Sequence, residues 1–159
     1  MTTEKSFTHL DGKGQAHMVN VADRDITVRT ASASGLVKLS PAVVALLREG
    51  GIPKGDVLAT ARVAAILGAK RTSDLIPLCH PIAIHGVDVE LEIIEAGVAI
   101  HVEVKTVDRT GVEMEALTAV SIAGLTVIDM VKSLDPAAML SDIGVERKSG
   151  GRNGNWVRD

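Results

Sequence analysis

The stretch Lys70-Arg71-Thr72-Ser73-Asp74-Leu75-Ile76-Pro77-Leu78-Cys79-His80-Pro81 brings two cations, a carboxylate, a thiol and an imidazole into one short run. Pro77 and Pro81 bracket Leu78, Cys79 and His80. Proline fixes its own φ and biases the residue before it toward extended geometry, so Cys79 and His80 are expected on a stiff, non-helical segment. Such a segment suits groups held toward a ligand; taken alone, it reads equally as a rigid loop with a buried Cys and a capped His. Neighbours on an extended chain point to opposite sides, which argues against a Cys79–His80 nucleophile–base dyad. A packing or backbone-binding role fits Cys79 better, and a ligand contact fits His80.

A second dense run extends from Gly111 to Lys132 and begins Gly-Val-Glu-Met-Glu-Ala-Leu-Thr. On a helix, Asp129 and Lys132 share a face. They are either an exposed ion pair or, beside the apolar residues that precede them, a proton-transfer pair, because burial and neighbouring groups can bring a lysine toward neutrality for acid–base work. Glu113 and Glu115 open the same run. Carboxylates in a first helical turn offset the macrodipole, and they can also accept hydrogen bonds from a ligand's donor nitrogens. The cations Arg29, Lys54, Lys70, Arg71 and Lys148 are each ordinary as a surface charge, but Lys70-Arg71 beside the Cys-His segment suggests a site for a small polyanion.

Composition bounds what these residues can serve. The 159 residues suit one domain, residues 1–159, with a sizeable core. The chain is 46% hydrophobic with 1% aromatics, so that core must be aliphatic. A net charge of −3 and a pI near 5.9 give no support for nucleic acid or an anionic membrane surface as a partner. A single cysteine, Cys79, excludes an intrachain disulfide and fits a reducing compartment. No secretory h-region and no uninterrupted membrane-length apolar run are present, so a cytoplasmic location is expected. Five histidines and one cysteine show no ligand spacing, and no metal site is expected. Neither a Walker nor a dinucleotide glycine motif occurs.

The elements that must position these groups follow from periodicity. Residues 1–20 lack a pattern and read as a loose N-terminal arm. The region 20–38 reads as extended. Ser40-Pro41 is a helix start, with Ser40 as N-cap, and Gly50-Gly51 and Pro53 end that helix. A second helix is expected from about Asp56 to Ala69. Alternation from Val87 to Val107, interrupted by Glu95-Ala96-Gly97, predicts a hairpin with one buried and one wet face, His101 lying on the wet side. Val112 to Lys132 reads as a long helix, apolar nearly all round its middle, which calls for cover beyond one sheet. Met139 to Arg147 is expected as a last strand, and 148–159 as a mobile basic tail. The order β-α-α-β-β-α-β predicts an α+β, ferredoxin-like sandwich: a four-stranded antiparallel sheet with helices packed on one face.

Both dense runs, together with His17-Met18-Val19, Thr27-Val28-Arg29, Pro53-Lys54-Gly55-Asp56 to Lys70 and Lys148-Ser149-Gly150-Gly151, resemble the cyclic pyranopterin monophosphate synthases, the C protein of molybdenum-cofactor biosynthesis. The resemblance covers nearly the whole chain and agrees with the fold just read. One departure is Asn20, where the family often has Asp.

The resemblance implies a lyase. Its substrate would be a cyclised dihydro-GTP, (8S)-3',8-cyclo-7,8-dihydroguanosine 5'-triphosphate, rearranged to cyclic pyranopterin monophosphate with release of pyrophosphate. It assigns Asp129 and Lys132 to the catalytic centre, to which we add Lys54 for acid–base work. It places Glu113, Met114 and Glu115 in the substrate pocket, to which we add Leu78, Cys79 and His80. Arg29, Lys70 and Lys148 would hold the triphosphate. No cofactor is implied beyond a divalent cation that could accompany the triphosphate. The family's assembly is a hexamer built from dimers. Glu113 and Asp129 lie too far apart on one straight helix for a single nucleotide to touch both, so a homo-oligomer with sites between subunits is expected. The competing class is a non-catalytic small-molecule-binding module on the same scaffold, which a pyrophosphate assay on the cyclised nucleotide separates from the enzyme.

Overall fold

A chain with only 1% aromatics fills its core with small and aliphatic side chains and must pack its backbone layers closely. The structure, a computed structural model, describes residues 10–152 and 154–159. Its elements in chain order are strand β1 (Thr27–Lys38), helices α1 (Pro41–Arg48), α2 (Val57–Lys70) and α3 (Thr72–Leu75), strands β2 (Ile84–Ile94) and β3 (Gly97–Asp108), helix α4 (Glu113–Val131), and strands β4 (Met139–Ser149) and β5 (Trp156–Val157).

One antiparallel sheet runs in the order β2-β3-β1-β4-β5. The expected sheet of four strands is therefore one of five. The fifth strand arises because the chain after Gly150 folds back: Arg147 pairs with Val157 and Lys148 with Trp156. The backbone of Arg158 donates to Glu146 O at 2.8 Å, and its Nε donates to Val145 O at 2.8 Å. The expected mobile tail therefore begins as strand: Lys148 belongs to β4, which runs two residues beyond the expected Arg147, and Trp156 and Val157 pair back onto it. Of the expected loose arm, residues 1–9 lie outside the described residues. The part from Leu10 to Asn20 makes a turn closed by a Leu10–Ala16 bridge and then runs along the domain.

The core is aliphatic. Val98, Ile100, Val102 and Val104 of β3 and Ala31, Ala33 and Val37 of β1 face Ala116, Ala119, Val120, Ala123 and Val127 of α4, all buried. Close approach depends on glycine at two helical positions. A Cβ on Gly68 of α2 would come within 2.8 Å of Ile122 on α4, and one on Gly124 within 2.5 Å of the Leu140 side chain on β4. Gly97, with φ +142°, turns the hairpin where the expected break falls.

Helix starts differ in detail from expectation. Ser40 occupies the N-cap of α1 and Pro41 follows it, but the Ser40 side chain makes no cap. Instead its backbone N–H donates to buried Asp135 at 2.6 Å, fixing the α1 start against the turn after α4. Asp56 caps α2 by accepting from the Ala59 N–H at 2.9 Å. The one-turn helix α3, absent from the sequence reading, closes over buried Thr72, whose hydroxyl donates to Ala69 O at 2.9 Å.

Helix α4 is continuous and apolar enough, by length and composition, to cross a membrane, but its inner faces pack on β1, β3, β4 and α2. Its outward side remains apolar: Leu125 is 56% exposed, and on the adjacent α2 Val63 and Leu67 are 59% and 55% exposed. The need for further cover expected from the sequence is visible as this surface.

Candidate active site

The antiparallel topology brings one end of every layer together. The starts of β1 and β2, the ends of β3 and β4 and the start of α4 all lie on the same side, as the pairs Thr27–Asp108, Ile84–Thr106 and Thr30–Ser149 require. A cleft of about 570 Å³ opens there. Its lining includes Arg29, Leu78, Cys79, His80, Glu113, Met114, Glu115 and Lys148, eight of the twelve positions assigned to the site from the sequence; Arg71, the further candidate cation, does not line it.

Each wall has a local cause. After α3 the chain turns through Pro77 and Leu78, with the Cys79 N–H donating to Ile76 O at 3.0 Å, and Pro81 biases His80 before it toward extended geometry. His80 donates from Nε2 to Val19 O at 2.7 Å. A carbonyl only accepts, so this bond fixes the proton on Nε2 and leaves Nδ1 as the ring's other polar edge. Arg29 donates from Nε to Asp108 O at 3.0 Å. Gly150 and Gly151 turn at φ +88° and +77°, and Gly151 packs so closely on the Arg29 guanidinium that a side chain there would collide with it.

The two carboxylates at the start of α4 part company. Glu113 pairs with Lys148 at 2.8 Å. Glu115 is 4% exposed and pairs with no cation among the described residues. Burial, and secondarily the charge of Glu113, push its carboxyl up to about 7, while its own backbone N–H acts in the opposite direction. Burial, with Glu115 nearby, also raises the Cys79 thiol, which keeps it a thiol rather than a nucleophilic thiolate.

The remaining positions lie elsewhere. Asp129 accepts from Lys132 Nζ at 2.6 Å, and Lys54 Nζ donates to the Asp129 carbonyl at 2.6 Å and its carboxylate at 3.3 Å. These two lysines hold the Asp129 carboxyl below its usual range, Lys132 more than Lys54. All three side chains are substantially exposed. This triad sits at the far end of α4, 16 residues from Glu113, or about 24 Å along the axis. Lys70 ends α2, exposed, and does not line the cleft. Within one chain, then, the cleft and the triad are separate.

Sequence reasoning missed Arg24, Val19, Val21 and Thr110, which also line the cleft. The segment carrying the first three is held by Arg109, whose Nη1 donates to Ala22 O at 2.7 Å and to Arg24 O. Asn20 accepts from the Ala22 N–H at 2.9 Å, so at this position a neutral amide shapes the turn. The cluster Asp23-Arg24-Asp25 was the available signal, hidden inside what read as an arm and a strand start. Arg152, assigned to a tail, reaches the cleft as well. Among the described residues, no group of three His, Cys, Asp or Glu side chains is placed to hold a metal ion.

The model of the MoaC family matches residues 18–151, a span that contains the triad and all of the cleft lining except Arg152 and Gly154. The chain belongs to the MoaC family. Its curated relatives span almost its full length. A protein named cyclic pyranopterin monophosphate synthase from Streptomyces griseus subsp. griseus is 59% identical over 158 residues, covering 99% of this chain and 89% of the relative. One of the same name from Nocardioides sp. is 59% identical, covering 97% and 96%. Cyclic pyranopterin monophosphate synthase 2 of Mycobacterium tuberculosis is 56% identical, covering 96% and 91%. Membership of the MoaC family accounts for the reach of the resemblance along both dense runs, which the fold has separated into one cleft and one ion triad.

Proposed function

We propose that this chain is a cyclic pyranopterin monophosphate synthase of molybdenum-cofactor biosynthesis. It converts the cyclised dihydro-GTP to cyclic pyranopterin monophosphate and releases pyrophosphate. The observation that carries this reading is the convergence of Leu78–His80, Glu113–Glu115, Arg29 and Lys148 on one cleft, in a chain about 59% identical to proteins of that name.

The cleft divides along its chemistry. Arg29, Lys148 and the arginines at 24 and 152 offer cations to the triphosphate, with guanidinium forks suited to phosphate oxygens. Leu78, Cys79, His80, Met114 and Glu115 take the heterocycle. The chemistry requires proton transfers as the purine opens and the pterin closes. A sugar oxygen then attacks the α-phosphorus, the bond to the β-phosphate oxygen breaks, and pyrophosphate leaves with that oxygen. Cations near the phosphates stabilise the charge that develops. The scheme uses no cofactor; a divalent ion, where used, travels with the triphosphate.

Asp129, Lys132 and Lys54 are the acid–base group in this reading. Supplying them to the cleft takes a second copy of the chain, so the working unit is a symmetric dimer, three of which make the hexamer, in the cytoplasm. The exposed apolar residues Leu125 of α4 and Val63 and Leu67 of the adjacent α2 support this assembly. Lys70, on the α2 end and outside the cleft of its own chain, is assigned to phosphate binding in the assembled site. The test is pyrophosphate release from the cyclised nucleotide. Wild type is expected to release it, and Lys132→Ala and Asp129→Ala, folded, to do so at a small fraction of that rate. Release by both variants at the wild-type rate would remove the triad from the chemistry.

A further inference from the structure

Two glutamates two residues apart open α4, and the fold gives them opposite electrostatic settings. Glu113 has a cation at 2.8 Å and remains partly open to solvent. Glu115 turns inward. It is nearly inaccessible, lines the cleft floor, and has the Cys79 thiol and the Glu113 carboxylate as its titratable neighbours. From the other elements around the cleft come His80 on the segment after α3, Arg29 on β1, Lys148 on β4 and Arg24 and Arg152 on the flanking loops. Among these, His80 is engaged with Val19, Arg29 with the Asp108 carbonyl, and Lys148 with Glu113. None pairs with Glu115. A carboxylate enclosed this way, with an anion two residues away and no counter-ion, is the state the surroundings disfavour.

We propose that Glu115 works as a neutral carboxylic acid, a hydrogen-bond donor that the cleft floor presents to an acceptor atom of the substrate's heterocycle. The inference rests on the synthase reading for the ligand, though not for the charge state. It makes the two glutamates unlike in role. Glu113 stays ionised and holds Lys148, while Glu115 gives a proton bond to a ring carbonyl or ring nitrogen. The cleft is then cationic where a triphosphate lies and uncharged, with a carboxyl and a thiol, where a flat heterocycle lies. A neutral carboxyl both donates and accepts, so it matches the adjacent donor and acceptor edge of a guanine-derived or pterin ring without bringing a net charge.

Two measurements on the assembled protein decide this. Assembly matters because lysines of a second copy would approach the same cleft. The first follows side-chain carboxyl carbons of 13C-labelled glutamate by NMR from pH 4 to 9, with Glu115→Gln to assign the resonance. The expected result is one resonance, missing in the variant, that titrates near pH 7. A Glu115 resonance already ionised at pH 5 would overturn the proposal, since a cation from the partner must then reach it. This readout needs no substrate. The second compares affinity for the cyclised nucleotide in wild type, Glu115→Gln and Glu115→Ala. The ratio of wild type to the Gln variant cancels the titration of the nucleotide's own phosphates. That ratio should fall about tenfold from pH 6 to pH 8, as the fraction of neutral Glu115 does. At pH 6 the Gln variant, a neutral donor of the same shape, should bind within about threefold of wild type, and the Ala variant should bind far more weakly. A Gln variant as weak as Ala at pH 6, or a ratio that rises with pH, would show that the carboxylate is the working form. Failure of wild type to release pyrophosphate would instead refute the activity, with the titration still deciding the charge state.

Discussion

Mixing two inactive variants should restore about a quarter of the wild-type activity. Glu115→Ala damages the cleft at the start of α4, and Asp129→Ala damages the triad at its end. The two positions are 14 residues apart on a helix the structure shows to be unbroken through Gly124. That is about 21 Å along the axis, more than one nucleotide's ring system and α-phosphate can bridge. If each site joins the cleft of one chain to the triad of its mate, a mixed dimer holds one doubly damaged site and one intact site. Random exchange makes half of the dimers mixed, so roughly one site in four is intact. The assay is pyrophosphate release after subunit exchange, with exchange itself followed by mass spectrometry of isotope-labelled chains. Confirmed exchange with no recovery of activity would refute the shared site, and each chain would then have to run the chemistry with its own cleft.

Three further outcomes follow from particular contacts. Glu115 should make stability pH-dependent: its proton is held to about pH 7 when folded but only to about 4.5 when unfolded, so the stability it contributes is complete below pH 4.5 and is lost as pH rises through 7. Glu115→Gln should remove this term, and denaturant titrations should show the variant gaining up to about 3 kcal/mol relative to wild type between pH 4 and 9; a constant difference would show that Glu115 does not titrate there. Gly97→Ala should cost roughly 1–3 kcal/mol in urea unfolding, because its φ of +142° is costly for a side chain and a Cβ would meet the Val37 carbonyl; an unchanged midpoint would refute the need for glycine in that turn. Removing residues 150–159 deletes exposed β5 and the cleft-lining Arg152, and should weaken binding of the cyclised nucleotide more than it lowers the melting temperature; unchanged affinity would make this segment a spectator.

Much of the frame was legible because it rests on periodicity. The β2–β3 alternation, the Gly97 turn and the long apolar α4 follow from spacings of two and of three to four, and the structure places them within a few residues of expectation. What escaped were features set by distant partners. Ser40 makes no side-chain cap, and its backbone N–H is held instead by Asp135, 95 residues on. Residues after Gly150 form a strand only because β4 offers an edge, and a two-residue strand carries no period to read. Arg24 enters the cleft because Arg109 clamps its loop, a long-range contact with no local signature. The candidate site divides the same way. The Leu78–His80 and Glu113–Glu115 segments were dense enough to stand out alone. The unlike settings of Glu113 and Glu115 depend on which of them meets Lys148, and that is decided only when β4 lies beside α4.

Conversion of the cyclised nucleotide is best decided by analysing its products. Incubating the protein with the cyclised dihydro-GTP and resolving the mixture by chromatography and mass spectrometry should show cyclic pyranopterin monophosphate and pyrophosphate appearing in equal amounts as substrate disappears. Substrate that binds and is recovered intact, with neither product formed, would contradict the account and leave a binding module in place of an enzyme.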